Sequence, residues 1–221
     1  MLLQLTFIAL IAALGTVVNA QDRASADMVN RALAARPNTS HGRTLYSRRC
    51  ATCHGKNGWG DGLEDIPSLA GQRELYLATQ LAQFATQARS GSAMHAATRT
   101  ADVNHPQAIR DLAAFLSRVP ANPDPEHAED KVSSVGERLF LHNCAPCHGQ
   151  AAQGSGTDPI PALAGQHYNY TLIQLKRFAR GHRGQVNTPV MELIAGLSDD
   201  DQKSIAEYLS RIKAAPADLE R

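Results

Sequence analysis

The sequence predicts an all-α protein made of two copies of one domain, and three observations lead to this prediction. Apolar residues recur at helical spacing in each half, as at Leu77, Leu81 and Phe84. No stretch alternates between apolar and polar residues as a half-buried strand does. The second half also repeats the first at an offset of 94 positions, slipping by one near its end. A repeat this long indicates tandem domains, and two copies are too few for a solenoid.

The repeat is clearest in two seven-residue segments, IPSLAGQ at 66–72 and IPALAGQ at 160–166. Aligning them predicts one domain at 41–119 and a second at 133–221. The residues between, 120–132, contain three of the prolines with an acidic excess. Because proline fixes the backbone and blocks helix formation, this stretch is interpreted as an extended linker.

Each half is predicted to contain a first, a middle and a last helix. Gly42 and Gly136 recur at the same place in the first helix. The missing side chain would let the first and last helices cross closely; alternatively, these glycines are merely helix starts. Ser198, followed by three aspartates, predicts an N-cap for the last helix of the second half. Two aromatic pairs would pack at the crossings: Tyr46 with Phe115, and Phe140 with Tyr208.

Two five-residue motifs, at 50–54 and 144–148, both read C-x-x-C-H, the attachment signature of c-type haem. Cysteines three apart lie on one helical turn, so both sulfurs can add to the two vinyl groups of one porphyrin. The histidine that follows can supply a nitrogen ligand to iron. The sequence therefore predicts two covalently bound haem c groups. The candidate residues are Cys50, Cys53 and His54 for the first, and Cys144, Cys147 and His148 for the second.

Other uses of four cysteines fit less well. A disulfide framework suits a short, loop-rich chain. Paired cysteines in zinc sites are usually separated by roughly 12 to 20 residues, whereas Cys53 and Cys144 are 91 positions apart. A thioredoxin-like dithiol does not need a histidine directly after each pair.

Methionines are candidates for the sixth iron ligand. Beyond residue 20 the chain contains only Met28, Met94 and Met191. The last two follow the haem histidines by 40 and 43 residues, each in a predicted loop between the middle and last helix. Thioether sulfur raises the reduction potential relative to a second imidazole. His95, beside Met94, is an alternative ligand, and His182 is a weaker alternative to Met191.

Prolines and arginines are candidates for positioning each haem. Pro67 and Pro161 follow their haem histidines by 13 residues. Each proline carbonyl can accept the N–H of the iron-bound imidazole, although the proline can also simply stiffen the loop. Arg89, Arg180 and Arg183 precede the methionines and can pair with haem propionates, or be solvated instead.

The amino terminus predicts export. Residues 1–20 are uncharged and apolar, a signal-peptide pattern with a predicted cut after Ala20, although no Lys or Arg precedes the apolar run. An uncleaved membrane anchor is the alternative. Haem attachment to C-x-x-C-H takes place outside the bacterial cytoplasm, so the predicted location is the periplasm. Residues 21–40 are interpreted as a mobile polar lead with a short helix.

Composition agrees with a cofactor-filled core and excludes a general polyanion binder. Aromatic residues make up 5% of the chain, so a buried porphyrin would supply the missing core volume. The net charge of +1 argues against nucleic acid as a partner.

The two predicted domains differ in charge. Residues 41–119 carry nine Lys/Arg against six Asp/Glu, whereas 133–221 carry nine of each. We therefore expect the first domain to present the more basic face.

These motifs resemble the dihaem cytochrome c4 family. The matching features are two C-x-x-C-H-G sites, the doubled I-P-[SA]-L-A-G-Q segment, and Met94 and Met191, over about residues 41–213. The resemblance implies two class I cytochrome c folds facing each other and His/Met ligation at both irons. It also implies a periplasmic electron carrier that can associate with the inner membrane, between a quinol-oxidising complex and a terminal oxidase. The shorter ligand loop of the first half and the long lead depart from the family.

The predicted function is electron transfer and not catalysis, because six ligands on both irons leave no site for a substrate. One alternative is an electron-transfer subunit of a periplasmic dehydrogenase, for example a flavoprotein that oxidises sulfide. The other is a small dihaem enzyme, such as a peroxidase or a thiosulfate-oxidising cytochrome, which would need an iron with an open or displaceable ligand.

Overall fold

The computed structural model describes residues 19–128, 134–183 and 188–214. Within these ranges the regular structure is helical, and the one bridge between extended segments joins Asp61 and Ile66. The predicted all-α class is confirmed. None of the helices in these ranges is long and apolar enough to cross a bilayer. The predicted leader lies outside the described residues except for its last two.

Eleven helices are found in the described part of the chain. The helix α1 spans Ala20–Ala34 and precedes the repeat. The first copy contains α2 (Thr39–Arg49), α3 (Ala51–His54), α4 (Glu74–Ala85), α5 (Ser92–Thr98) and α6 (Pro106–Leu116). The second contains α7 (Ser134–Asn143), α8 (Ala145–His148), α9 (Tyr168–Ala179), α10 (Thr188–Ala195) and α11 (Asp199–Arg211). The two copies therefore have the same order of elements.

The first and last helices of each copy cross in direct contact, as the two glycines predicted. A Cβ added at Gly42 would lie 2.0 Å from the carbonyl oxygen of Asp111 on α6, and one at Gly136 would lie 1.9 Å from that of Ser204 on α11. Each crossing is flanked by an aromatic pair, with ring centroids 5.7 and 5.6 Å apart. Both glycines lie inside their helices, so they are contact residues and not simple helix starts.

The segment before the repeat is a packed helix, which corrects the expectation of a mobile lead. Asn19 caps α1 by accepting the Asp22 N–H at 2.9 Å. One face of α1 packs against α4 and α6, with Met28 and Val29 against the core and Ala32 fully buried. Apart from alanine, α1 contains few apolar residues among many polar ones, which is why composition alone indicated a mobile polar lead.

The linker has no helix over 120–128, and its backbone is bound to both domains. The Trp59 indole donates to the carbonyl of Pro120 at 2.9 Å. Further along, the N–H of Glu126 donates to Nδ1 of His167 at 3.0 Å, and the carbonyl of Glu126 accepts from the N–H of Tyr168 at 3.1 Å. The part of the linker that is described therefore fixes one domain against the other.

We predict that Gly42→Ala lowers the free energy of unfolding by about 3 kcal/mol, the upper end of the range for overpacked cores, because the added methyl collides with backbone. Gly136→Ala should act in the same way in the second domain. Denaturant unfolding of the holoprotein, followed by far-UV circular dichroism, measures this decrease in the free energy of unfolding. Gly156→Ala is the control, because a Cβ there meets no atom within 4 Å. Equal stability of all variants would contradict the close crossing.

Candidate haem-binding sites

Each C-x-x-C-H motif forms one short helical turn directly after the first helix of its domain. The N–H of Cys50 donates to the carbonyl four residues earlier at 2.9 Å, and the N–H of His54 donates to the carbonyl of Cys50 at 2.9 Å. The equivalent bonds at Cys144 and His148 measure 2.8 and 2.9 Å. The first helix thus fixes the position of the first cysteine, which in turn anchors the turn carrying the histidine.

The four thiols are unbridged and differ in burial in the same way in both motifs. Cys50 and Cys144 are half-buried, whereas Cys53 and Cys147 are exposed. Burial, reinforced by the neighbouring motif cysteine, raises the pKa of Cys50 and of Cys144 to about 11. One inner and one outer sulfur on a single turn can hold the edge of a flat macrocycle at the protein surface. This donor set fits covalent haem.

The motif histidines are oriented by the two prolines. Nδ1 of His54 donates to the carbonyl of Pro67 at 3.1 Å, and Nδ1 of His148 donates to that of Pro161 at 3.0 Å. Burial lowers the pKa of both histidines, partly opposed by these carbonyls. A neutral imidazole with its Nδ1 proton engaged leaves Nε2 as the nitrogen for a metal. The assignment of these histidines as iron ligands stays a prediction.

The two methionines lie in short helices, which corrects the expectation of loops. Met94 is in α5 and Met191 is in α10, and both side chains are partly buried. Of the alternative ligands, His95 is partly buried with Nδ1 2.8 Å from the carbonyl of Phe84, and His182 is exposed. Exposure at His182 disfavours it as a ligand in the second domain.

Arg89 extends from the first domain into the second. Its guanidinium donates to Oε1 of Gln80 in its own domain. It also donates to Tyr170 Oη and Gln174 Oε1 of the second domain, both at 3.3 Å. The guanidinium carbon stacks 4.5 Å from the centroid of the Phe84 ring. The side chain is 7% exposed, so this charge lies within the domain interface.

Arg183 makes the matching contacts in the opposite direction, 94 positions later. Its guanidinium donates to Gln174 of its own domain at 2.9 Å. Across the interface it donates to Tyr76 Oη at 2.7 Å and to Gln80 Oε1 at 3.4 Å. Its carbon lies 4.6 Å from the centroid of Phe178. The interface is therefore close to two-fold symmetric.

The acceptors described for these two guanidinium groups are all neutral side chains. Burial alone raises the pKa of Tyr170, but the nearby charges of Arg89 and Arg183 reverse the effect and lower it. A buried cation without an anion is costly, so the site is suited to carboxylates from a bound group, such as haem propionates. Arg180, the third candidate, is exposed.

The contacts of His167 were missed from the sequence. It is 5% exposed at the domain interface. Its Nε2–H donates to the carbonyl of Trp59 at 2.7 Å while Nδ1 accepts from the linker. Gln72 and Gln166 were also missed as contact residues, although their shared place in the repeat was a signal. Both reach into the opposite domain.

Comparisons with known proteins agree with this geometry. The cytochrome c family model matches residues 39–120 and 133–213. The thiosulfate dehydrogenase electron acceptor of Stutzerimonas stutzeri (strain A1501) is 32% identical over 187 residues, covering 79% of this chain and 83% of the relative. Cytochrome c4 of Thiocapsa roseopersicina is 32% identical over 171 residues, covering 72% and 85%.

A solved structure with the same arrangement is that of reduced recombinant cytochrome c4 from Pseudomonas stutzeri. It matches with a TM-score of 0.68 and 26% identity over 80% of this chain and 100% of that chain. Together with the motif geometry, these matches show two covalently bound haem c groups, attached at Cys50 and Cys53 and at Cys144 and Cys147. The chain is a dihaem electron-transfer protein that belongs to the cytochrome c family, in its cytochrome c4 branch.

Proposed function

We propose that this protein carries electrons through the periplasm from a quinol-oxidising complex to a terminal oxidase, and that it is not an enzyme. His54 with Met94, and His148 with Met191, would be the axial ligands of the two irons. The observation that carries the proposal is the doubled donor set. Each domain offers a neutral imidazole oriented by a proline carbonyl, and a partly buried thioether on a separate short helix.

The residues of the chain favour electron exchange over substrate chemistry. Haem supplies a reversible one-electron couple when bound. Imidazole on one side and thioether on the other leave no coordination position for a substrate and favour ferrous iron. The guanidinium groups of Arg89, which is buried, and of Arg183, which is partly buried, can neutralise negative charge between the two domains. The bound linker keeps the domains in one relative position, which suits transfer from one haem to the other.

The periplasmic location is supported by the predicted leader and by the chemistry of haem attachment. Peripheral contact with the inner membrane, or an anchor in the leader, would bring the protein to its membrane-bound partners. Export can be measured by fractionating cells and sequencing the amino terminus of the haem-containing protein. A mature chain that begins at Gln21 is expected.

A second candidate function is electron acceptor for a periplasmic dehydrogenase. It is favoured by the similarity to the electron acceptor of thiosulfate dehydrogenase. A flavoprotein that oxidises sulfide is a further possible donor of this class. The two functions differ in the electron donor. Stopped-flow experiments can therefore compare the rate of reduction of this protein by a quinol–cytochrome c reductase with quinol and by a thiosulfate dehydrogenase with thiosulfate. Faster reduction in the first arm supports the leading proposal, and faster reduction in the second replaces it.

We predict that Met94→His and Met191→His each lower the potential of one haem, because a second imidazole stabilises ferric iron more than a thioether does. Redox titration followed by optical and magnetic spectra measures both potentials and spin states. Each variant should remain folded and retain two haem equivalents. If both potentials were unchanged in both variants, neither methionine would be an iron ligand. If the potentials were unchanged in Met94→His alone, His95 would be the better candidate ligand in the first domain.

We predict that electron transfer to a membrane-bound oxidase slows as salt is added, because contacts of this kind are steered by charge. Lys56 is exposed close to the exposed Cys53, so Lys56→Glu should slow the reaction at low ionic strength. Lys213→Glu is the control, since it makes the same charge change at an exposed site of the second domain. Oxygen uptake by oxidase-containing membranes gives the rate. A rate independent of salt, or equal slowing by both variants, would contradict a basic docking face on the first domain.

A further inference from the structure

A single peptide group joins the first haem histidine to the second domain. The carbonyl of Pro67 accepts from Nδ1 of His54 at 3.1 Å. The N–H at the other end of the same peptide belongs to Ser68, and it donates to Oε1 of Gln166 at 2.9 Å. The Gln166 side chain also donates through Nε2 to the carbonyl of Ser68 at 2.9 Å. The loop that orients His54 is thus held from both sides by an amide of the opposite domain.

The same arrangement runs in the reverse direction at the second haem histidine. Pro161 accepts from Nδ1 of His148 at 3.0 Å. The N–H of Ala162 donates to Oε1 of Gln72 at 2.8 Å, and Nε2 of Gln72 donates to the carbonyl of Ala162 at 2.9 Å. Each domain therefore supplies the glutamine that holds the histidine-orienting loop of the other. The two chains of hydrogen bonds cross the interface side by side.

The two ends of a peptide group are electronically coupled. An acceptor on the N–H increases the partial negative charge on the carbonyl oxygen, and hydrogen bonds in such a chain strengthen one another. A stronger carbonyl acceptor draws the imidazole proton further from Nδ1 and makes the ring a better electron donor to a bound metal. The paired contacts of the glutamine also restrict the position of the carbonyl. Both effects act on the histidine from outside its own domain.

We propose that Gln166 and Gln72 are positioning residues that tune the reduction potential of the haem in the opposite domain. This inference rests on the proposed ligation of iron by His54 and His148. A more strongly donating imidazole stabilises ferric iron, so each glutamine lowers the potential of the haem across the interface. Loss of Gln166 raises the potential of the first haem, and loss of Gln72 raises that of the second.

The experiment compares Gln166→Met and Gln72→Met holoproteins with the unaltered holoprotein. Methionine keeps the length of the side chain and removes both hydrogen bonds. Asn169→Leu is the matched control, because its amide donates across the interface to the carbonyl of Gly62 at 3.2 Å without touching a proline peptide. Spectroelectrochemical titration gives both potentials. Each potential is assigned to its domain by repeating the titration with Met191→His added, because this substitution lowers the potential of the second haem.

Each glutamine substitution is expected to act on the haem of the opposite domain. Gln166→Met should raise the reduction potential of the first haem only, and Gln72→Met should raise that of the second haem only. Asn169→Leu should change neither potential. The proposal would be overturned if the potential changed only in the domain that carries the substitution, if both potentials changed equally, or if neither changed. Low-spin spectra with histidine and methionine ligation in these same samples would support the proposed function even if the potentials did not change. Failure of the glutamine proposal can therefore be told apart from failure of the proposed function.

A measurement on the unaltered holoprotein tests the contacts even where a variant does not fold. In the reduced, diamagnetic protein, the amide protons of Ser68 and Ala162 should exchange with solvent far more slowly than those of exposed loop residues. In each glutamine variant that folds, only the amide across the interface should exchange faster, by at least about tenfold, as expected for the loss of a protecting hydrogen bond. Fast exchange of both amides in the unaltered protein would overturn the proposal.

Discussion

The structure depends on two helix crossings in which no side chain separates the backbones. Gly42 lies against the backbone of Asp111, and Gly136 lies against that of Ser204. At the first crossing the Asp111 carboxylate, 1% exposed, accepts from the N–H of Asn38 at 2.7 Å and from Nδ1 of His41 at 2.7 Å. The start of α2 is thereby fixed to α6. Because each haem motif begins at the residue after the first helix, the crossing also sets where the porphyrin is attached.

Arg89 and Arg183 link the two domains at their interface. Each guanidinium at the interface, on Arg89 and Arg183, is satisfied by neutral groups from both domains. Two like charges so close together are unfavourable without anions, and haem propionates are the anions proposed to pair with them. The contacts of the two glutamines and of the two arginines follow the same near two-fold relation. A domain that lost its partner would leave each of these contacts unmade.

Repeated patterns in the sequence predicted the architecture, whereas features that depend on tertiary packing were missed. The two motifs, the doubled domain, the glycine crossings and the Ser198 N-cap were all visible locally or by comparing the halves. A short helix was expected before the repeat, but the packing of α1 on α4 and α6 was missed, because α1 has no strong apolar stripe of its own. His167 has no counterpart histidine, since Arg73 occupies its place in the first copy. Only the folded interface assigns it a role.

The two domains are copies in sequence but not in environment. Tyr46 donates through its hydroxyl to the carbonyl of Gly55 at 2.6 Å, directly after the first haem histidine, whereas Phe140 occupies the equivalent position and has no hydroxyl. The helix α1 packs on α4 and α6 of the first domain, and His54 is buried where His148 is half-buried. Desolvation penalises the more highly charged ferric state. With His54 and His148 as the proposed iron ligands, this unequal burial favours unequal potentials of the two haems, and a single electron would then rest preferentially on one of them.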